Sequence, residues 1–135
     1  MQHHAEDHIS VLEHLARYFD ACDRADIDQV MTILAGATVR VGTLETADPA
    51  AIRHAYESRQ PAPMSDGRRR TKHHVTNLVV GPADDPTQIA ASAYYFRLEP
   101  SESGPVVAAS GRIEQLLVRD AQRWRVRRHT IVSDF

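Results

Sequence analysis

Asp23, the adjacent His73 and His74, and Tyr18 are the residues of this chain whose types and positions could do chemistry. A carboxylate set against an imidazole makes a proton shuttle, because the carboxylate orients the ring and stabilises it when it takes a proton. Burial pushes an imidazole pKa down and a nearby carboxylate pushes it up, so such a pair can act as acid or base near neutrality. A buried phenol needs a partner, and a ligand oxygen serves. Each residue also has a plain structural use. An Asp after a helix caps a turn, a core histidine is satisfied by an internal hydrogen bond, and a core tyrosine keeps its hydroxyl at the surface. The elements that carry these side chains decide between the two uses.

The spacing of apolar residues predicts those elements. Ile9, Leu12, Leu15, Ala16, Phe19 and Cys22 recur at steps of three and four, which predicts a helix over 5–22, with Val11 and Tyr18 widening its stripe. Asp23 lies four positions past Phe19, over that stripe. Asp26, with Gln29 in capping-box spacing, opens a second helix over about 27–35, and Gly36 suits the residue after its end. Thr38 to Val41 reads as a strand and Gly42-Thr43 as a turn or kink; Asp48-Pro49 opens a third helix over 49–58. Beyond the loop 59–67 the period falls to about two. Strands follow over 69–81, 87–98, 106–119 and 123–132.

Short separators make these strands antiparallel neighbours. Helices first and strands later imply an α+β fold, one sheet curling over the helices to enclose a pocket. Alternation puts Thr71, His73, Val75, Asn77 and Val79 on one face and Lys72, His74, Thr76, Leu78 and Val80 on the other. Only one of the two histidines can then enter the pocket. Tyr95 shares a face with Ile89, Ala91, Ala93 and Arg97, opposite Tyr94 and Phe96. Several strands are apolar on both faces, so the outer face calls for a second subunit.

The 135 residues make one domain, 1–135, long enough for a core with a small pocket. Sixteen Lys+Arg against eighteen Asp+Glu give −2, which argues against a nucleic-acid binder. The run Arg68-Arg69-Arg70 with Lys72 reads as a solvated strand edge. A lone Cys22 excludes disulfides and multi-thiolate zinc, and His4 with His8 is too small a set for a metal site, so no metal is expected. No apolar run reaches a membrane span, and the polar start lacks a signal-peptide pattern, which points to the cytoplasm.

The segment Arg17-Tyr18-Phe19-Asp20-Ala21-Cys22-Asp23-Arg24-Ala25-Asp26-Ile27-Asp28 resembles the opening of the NTF2-like superfamily. Thr71-Lys72-His73-His74-Val75-Thr76-Asn77, Gly111-Arg112-Ile113-Glu114 and Trp124-Arg125-Val126 resemble its later strands. The resemblance spans nearly the whole chain and is nearest to the SnoaL-like domains, with polyketide cyclases, scytalone dehydratase and small subunits of ring-hydroxylating dioxygenases as relatives. It specifies fold better than reaction, implying a cone of curved antiparallel sheet wrapped on three helices.

In the scytalone dehydratase pattern the catalytic Asp falls on Asp23, one catalytic His on His73, and a Trp-or-Tyr position near Tyr18. The tyrosine beside that Asp is replaced by Cys22, and the second histidine falls near Pro100 or is absent, so scytalone is a poor guess for the substrate. In the ketosteroid isomerases the oxyanion-hole tyrosine falls on Tyr18, but the general base falls at about Val41, which takes no proton. The resemblance implies a cofactor-independent dehydratase, cyclase or isomerase acting on a small hydrophobic oxygenated molecule, a polyketide or aromatic intermediate. Asp23 and His73 would be catalytic, with Tyr18, Asn77, Phe19, Val75 and Tyr95 binding substrate. Relatives that form dimers and trimers imply a homodimer or homotrimer. The alternative is a non-catalytic ligand-binding or scaffold domain of the same fold, serving as a partner subunit.

Overall fold

The computed structural model describes residues 2–121 and 123–134, with side chains from His4 onward. Gln122, expected in the last turn, lies outside the described residues. The first helix, α1, runs Gln2–Asp23 and buries Val11, Leu15, Tyr18, Phe19, Ala21 and Cys22. Its seam is therefore Val11-Leu15-Tyr18-Cys22, and Ile9 (69% exposed), Leu12 and Ala16 face outward. Two apolar stripes lie side by side on this helix, and the sheet covers the one that carries Tyr18.

Ala25, at φ 56°, turns the chain, and the Asp26 carboxylate accepts from the Gln29 N–H at 3.1 Å to cap α2 (Ile27–Ile33). A short strand, β1 (Thr38–Val41), reverses at Gly42, φ 62°, into β2 (Leu44–Thr46), three residues that alternation did not reveal. Asp48 accepts from Ala50 N–H at 3.1 Å and caps α3 (Pro49–Arg59), which buries Ile52, Ala55 and Tyr56.

Four long strands follow: β3 (Lys72–Pro82), β4 (Ile89–Glu99), β5 (Val106–Asp120) and β6 (Arg123–Ser133). They pair antiparallel in sequence order, and β1 joins β6 in parallel, giving the order β2-β1-β6-β5-β4-β3. The result is the expected α+β architecture, three helices against a curved, unclosed six-strand sheet. Register shifts between Thr76 and Val79, Arg97 and Leu98, and Leu116 and Leu117 mark bulges that bend the strands. At Gly111 a Cβ would collide with the Val132 carbonyl and crowd the Tyr95 hydroxyl, so β5 and β6 approach closely here because the residue has no side chain. Among the described residues no helix is long and apolar enough to cross a membrane.

Candidate active site

Asp23 is the last residue of α1, and His73 is the second of β3. Oδ1 of Asp23 accepts from His73 Nδ1–H and from the Thr71 hydroxyl, both at 2.7 Å, while Oδ2 accepts from the His73 backbone N–H at 2.8 Å. The two side chains are only 17% and 6% exposed, so the pair is largely shut from water. Burial alone would raise the Asp23 pKa. The hydrogen bonds from the His73 ring, its backbone and Thr71 outweigh that and hold the carboxyl below its usual range. An ionised carboxylate accepts only, so the ring proton sits on Nδ1 and Nε2 is left to take or give a proton. Phe19 stacks on the imidazole at 4.9 Å and 18°, fixing its plane. His74 turns to the opposite face of the sheet and stacks on Phe96 at 4.7 Å.

The basic run is the solvated edge that its composition suggests at Arg68, Arg70 and Lys72, but not at Arg69. Arg69 is 7% exposed; its Nη1 donates to the Cys22 carbonyl and its Nε to the Pro61 carbonyl, each at 2.5 Å. A guanidinium placed on a helix's last carbonyls satisfies groups that lack intrahelical partners and complements the negative helix end. Arg69 therefore pins the loop before β3 to the end of α1, beside Asp23. Arg68, Arg70 and Lys72 remain exposed.

A cavity of about 390 Å³ opens beside the dyad, lined by Tyr18, Phe19, Tyr56, His73, Tyr95 and Arg97 among others. Of the expected binding residues, Tyr18, Phe19 and Tyr95 line it. Val75 faces inward opposite Tyr95 but borders a neighbouring groove that it shares with Asp23 and His73. Asn77 does not join them. It has φ 56° at the β3 bulge and is exposed on the outer side, because one extra residue between Thr76 and Val79 reverses the alternation. Leu78 and Val80, not Asn77 and Val79, then pack against the core. Among the described residues no cluster of three or more metal-ligating side chains occurs.

Behind Tyr18 runs a polar chain that sequence reasoning missed. His14 Nε2 donates to Gln115 Oε1 (2.9 Å), and Gln115 Nε2 donates to His129 Nδ1 (2.8 Å). His129 Nε2 bonds the Tyr56 hydroxyl (3.1 Å), which bonds the Tyr18 hydroxyl (2.5 Å). His129 is fully buried, and desolvation pushes its pKa down to about 3, so the ring is neutral. Its Nδ1 accepts from the amide, so its proton is on Nε2 and is donated to Tyr56. Tyr56, accepting from His129, keeps its own proton for the Tyr18 hydroxyl, which also bonds the Cys22 thiol. Burial holds the Tyr18 phenol well above its usual pKa and the Cys22 thiol at about 12, so both stay protonated. The outer end of this chain opens on a separate groove of about 880 Å³, lined by His14, Trp124 and exposed ion pairs such as Arg53 with Asp28.

The unclosed, curved sheet on three helices places the protein first in a class, the NTF2-like α+β folds. Residues 4–130 match the SnoaL-like domain, and the chain belongs to that family. No curated protein matches it. A solved structure from Catenulispora acidiphila is similar with a TM-score of 0.78 at 19% identity, over 99% of this chain and 96% of that one. Another from the same organism, in complex with S-DNPA, gives 0.75 at 20% over 96% and 95%. Aln2 from a Streptomyces species gives 0.75 at 25% over 96% and 91%.

Proposed function

We propose that this protein is a cofactor-independent dehydratase, cyclase or isomerase acting by proton transfer on a small, largely apolar, oxygenated molecule of the polyketide or aromatic type. The observation that carries this reading is the largely buried Asp23–His73 pair, whose imidazole lines an aromatic-walled cavity. Nε2 of His73 would remove a proton next to a substrate carbonyl while the Asp23 carboxylate stabilises the resulting imidazolium. The Tyr18 hydroxyl would donate to the developing oxyanion. In a dehydration the imidazolium would return its proton to the departing hydroxyl; in a cyclisation or isomerisation, to the product carbon or oxygen. Tyr56, His129 and Gln115 would be positioning residues, since their chain of hydrogen bonds holds the Tyr18 hydroxyl in place.

The S-DNPA bound to one similar protein supports a small organic ligand here. The alternative, a module that binds without turnover, is favoured by one observation: among the described residues no second histidine lines the cavity. The proton-carrying set is thus smaller than in scytalone dehydratase-like sites. Deuterium exchange decides between them. Bicyclic and tricyclic aromatic ketones in D2O, followed by proton NMR, should lose signal at the carbon next to the carbonyl faster with wild-type protein than with His73→Ala. Equal rates across the panel reject the catalytic reading.

A further inference from the structure

The last turn of α1, Asp20-Ala21-Cys22-Asp23, carries two acids and no base. That is the adverse end of a helix for an anion, because its unpaired carbonyls make it negative and favour cations. Asp20 is exposed and meets Arg24, also exposed, at 2.9 Å. Asp23 is largely buried, and no arginine reaches its carboxylate. Its two oxygens are taken by the Thr71 hydroxyl and by the ring and backbone N–H groups of His73. Other charged groups border the same groove but are engaged or exposed. Glu99 pairs with Arg97 at 3.1 Å, Asp66 accepts from the Arg68 backbone N–H at 3.0 Å, and Arg68, Arg70 and Lys72 face water.

The missing counter-charge comes from the segment that enters β3. Residues 69, 71 and 73 alternate onto one face, and each donates to the end of α1. Arg69 contributes twice: its backbone N–H donates to the Asp23 carbonyl at 3.2 Å, and its Nη1 to the Cys22 carbonyl at 2.5 Å. A buried cation without an opposite charge is costly. Burial accordingly lowers the Arg69 pKa, and the charge of Asp23 works against that. The two charges share one peptide unit: the guanidinium holds the carbonyl of the Cys22–Asp23 bond, and the carboxylate belongs to the residue that follows. A direct pair would have taken an oxygen from His73 or Thr71.

We propose that Arg69 is a positioning residue for the Asp23–His73 pair: its buried guanidinium supplies the positive charge that the end of α1 lacks, so Asp23 stays an anion with both oxygens free for Thr71 and His73. This rests on the proposed function for the use made of the pair, and it adds the residue that keeps the pair charged. Arg69 touches neither His73 nor the cavity and acts only through Asp23 and the main chain around it.

The test is a carbon-13 NMR titration of the side-chain carboxyls of the full chain, from about pH 7.5 to 4. Wild-type Asp23 should stay largely ionised to the acid end of that range. In Arg69→Met its proton affinity should rise at least about tenfold, because the helix end is then uncompensated. Arg69→Lys keeps the charge without the planar fork, and Asp23 should stay within about threefold of wild type. A merely mechanical clip would make the two variants alike, since both lose the fork. If Arg69→Met does not fold, adding Asp23→Asn should restore folding, because an amide needs no counter-charge at the end of α1. An unchanged Asp23 titration in Arg69→Met, an equal rise in both variants, or a double variant that stays unfolded overturns the proposal. The titration requires no turnover. A shifted Asp23 without deuterium exchange rejects only the catalytic reading, and exchange with an unshifted Asp23 rejects only the role of Arg69.

Discussion

His73 and His129 both pack against the aromatic side chains that line the cavity, at 4.9 Å from Phe19 and 4.8 Å from Tyr18 respectively, but their partners differ in charge. His73 meets an ionised carboxylate, held so by three hydrogen bonds, and keeps one ring nitrogen for the cavity. His129 meets an amide and a phenol, both neutral, and uses both ring nitrogens on them. With no counter-charge beside it, desolvation leaves it neutral. The same side chain is therefore held against an anion with one ring nitrogen to spare at one wall and fixed as a neutral donor at the other. Burial alone does not make a histidine chemical; the charge and spare valence of its partners do.

The sharpest way to break this comparison is to remove the charge at the first wall. Asp23→Asn keeps the shape but takes away the anion that orients Nδ1 and stabilises the imidazolium. Exchange activity should fall by about 10²–10⁴-fold, as should that of His73→Ala. Retained activity in both would mean that His73 is a spectator. Tyr18→Phe removes the hydroxyl at the end of the chain from His129. It should cost about 10²-fold in kcat, the effect of losing one preorganised donor, with a smaller change in KM. If His129→Leu gives no part of that loss, the relay does not act through Tyr18.

Acid separates the two walls in stability. In the unfolded chain His129 takes a proton near pH 6.5, whereas in the folded chain it resists until about 3. Its folded pKa is depressed, so its contribution is present above about pH 6.5 and is lost as pH falls from there toward 3. The slope is up to about 1.4 kcal/mol for each pH unit. His14, lowered by burial, acts in the same direction. Asp23 is lowered too, so its contribution is lost only at more acid pH, as pH falls below the ordinary carboxylate value. Urea titrations at steps from pH 7.5 to 4 should show wild-type stability falling steadily and His129→Leu, though less stable at neutrality, falling with a shallower slope. Parallel curves would show that His129 is not held neutral.

Much of this was legible in the sequence, and the misses share a cause. Capping residues Asp26 and Asp48, the helical spacing before Asp23 and the two-residue alternation after residue 70 located the elements to within a few residues. The pairing of Asp23 with a histidine of the first long strand was an expectation from position, and the structure sets the two side chains 2.7 Å apart. Asn77 was misplaced because the β3 bulge adds one residue, which no hydrophobic pattern announces. The same event hides His129. Leu116 pairs with Arg128 and Leu117 with Val126, so Arg127 is the extra residue, Arg127 and Arg128 are both exposed, and His129 turns inward. Read by strict alternation, the segment Arg125 to Thr130 looks like a solvated strand. Arg69 failed for another reason. Its partners are carbonyls of Cys22 and Pro61, and main-chain acceptors leave no signature in residue types.

The mildest test uses the neighbour that parity sent the other way. His74 stands one residue from His73 but lies on the outer face, exposed, parallel to Phe96 within 2°. It borders the groove that Asp23 and His73 share but does not line the cavity. Replacing it removes one exposed ring contact, worth at most about 0.5–1.5 kcal/mol. His74→Gln should therefore leave exchange activity within about twofold of wild type and lower stability by no more than that ring contact. A loss comparable to that of His73→Ala would place the chemistry on the outer face, where Tyr94, Val79 and Val132 are exposed, and would reassign the inward pair to structure. Combining His74→Gln with Asp23→Asn is the stricter form. The double variant keeps the imidazole at position 73 but strips its anion, which leaves a ring with only neutral partners, as at His129. Its exchange rate should match that of Asp23→Asn alone within about twofold, because sites on opposite faces of the sheet act independently. A further drop would show that the outer ring carries the residual proton transfer, and that charge beside His73 is not what separates a proton carrier from a neutral core ring.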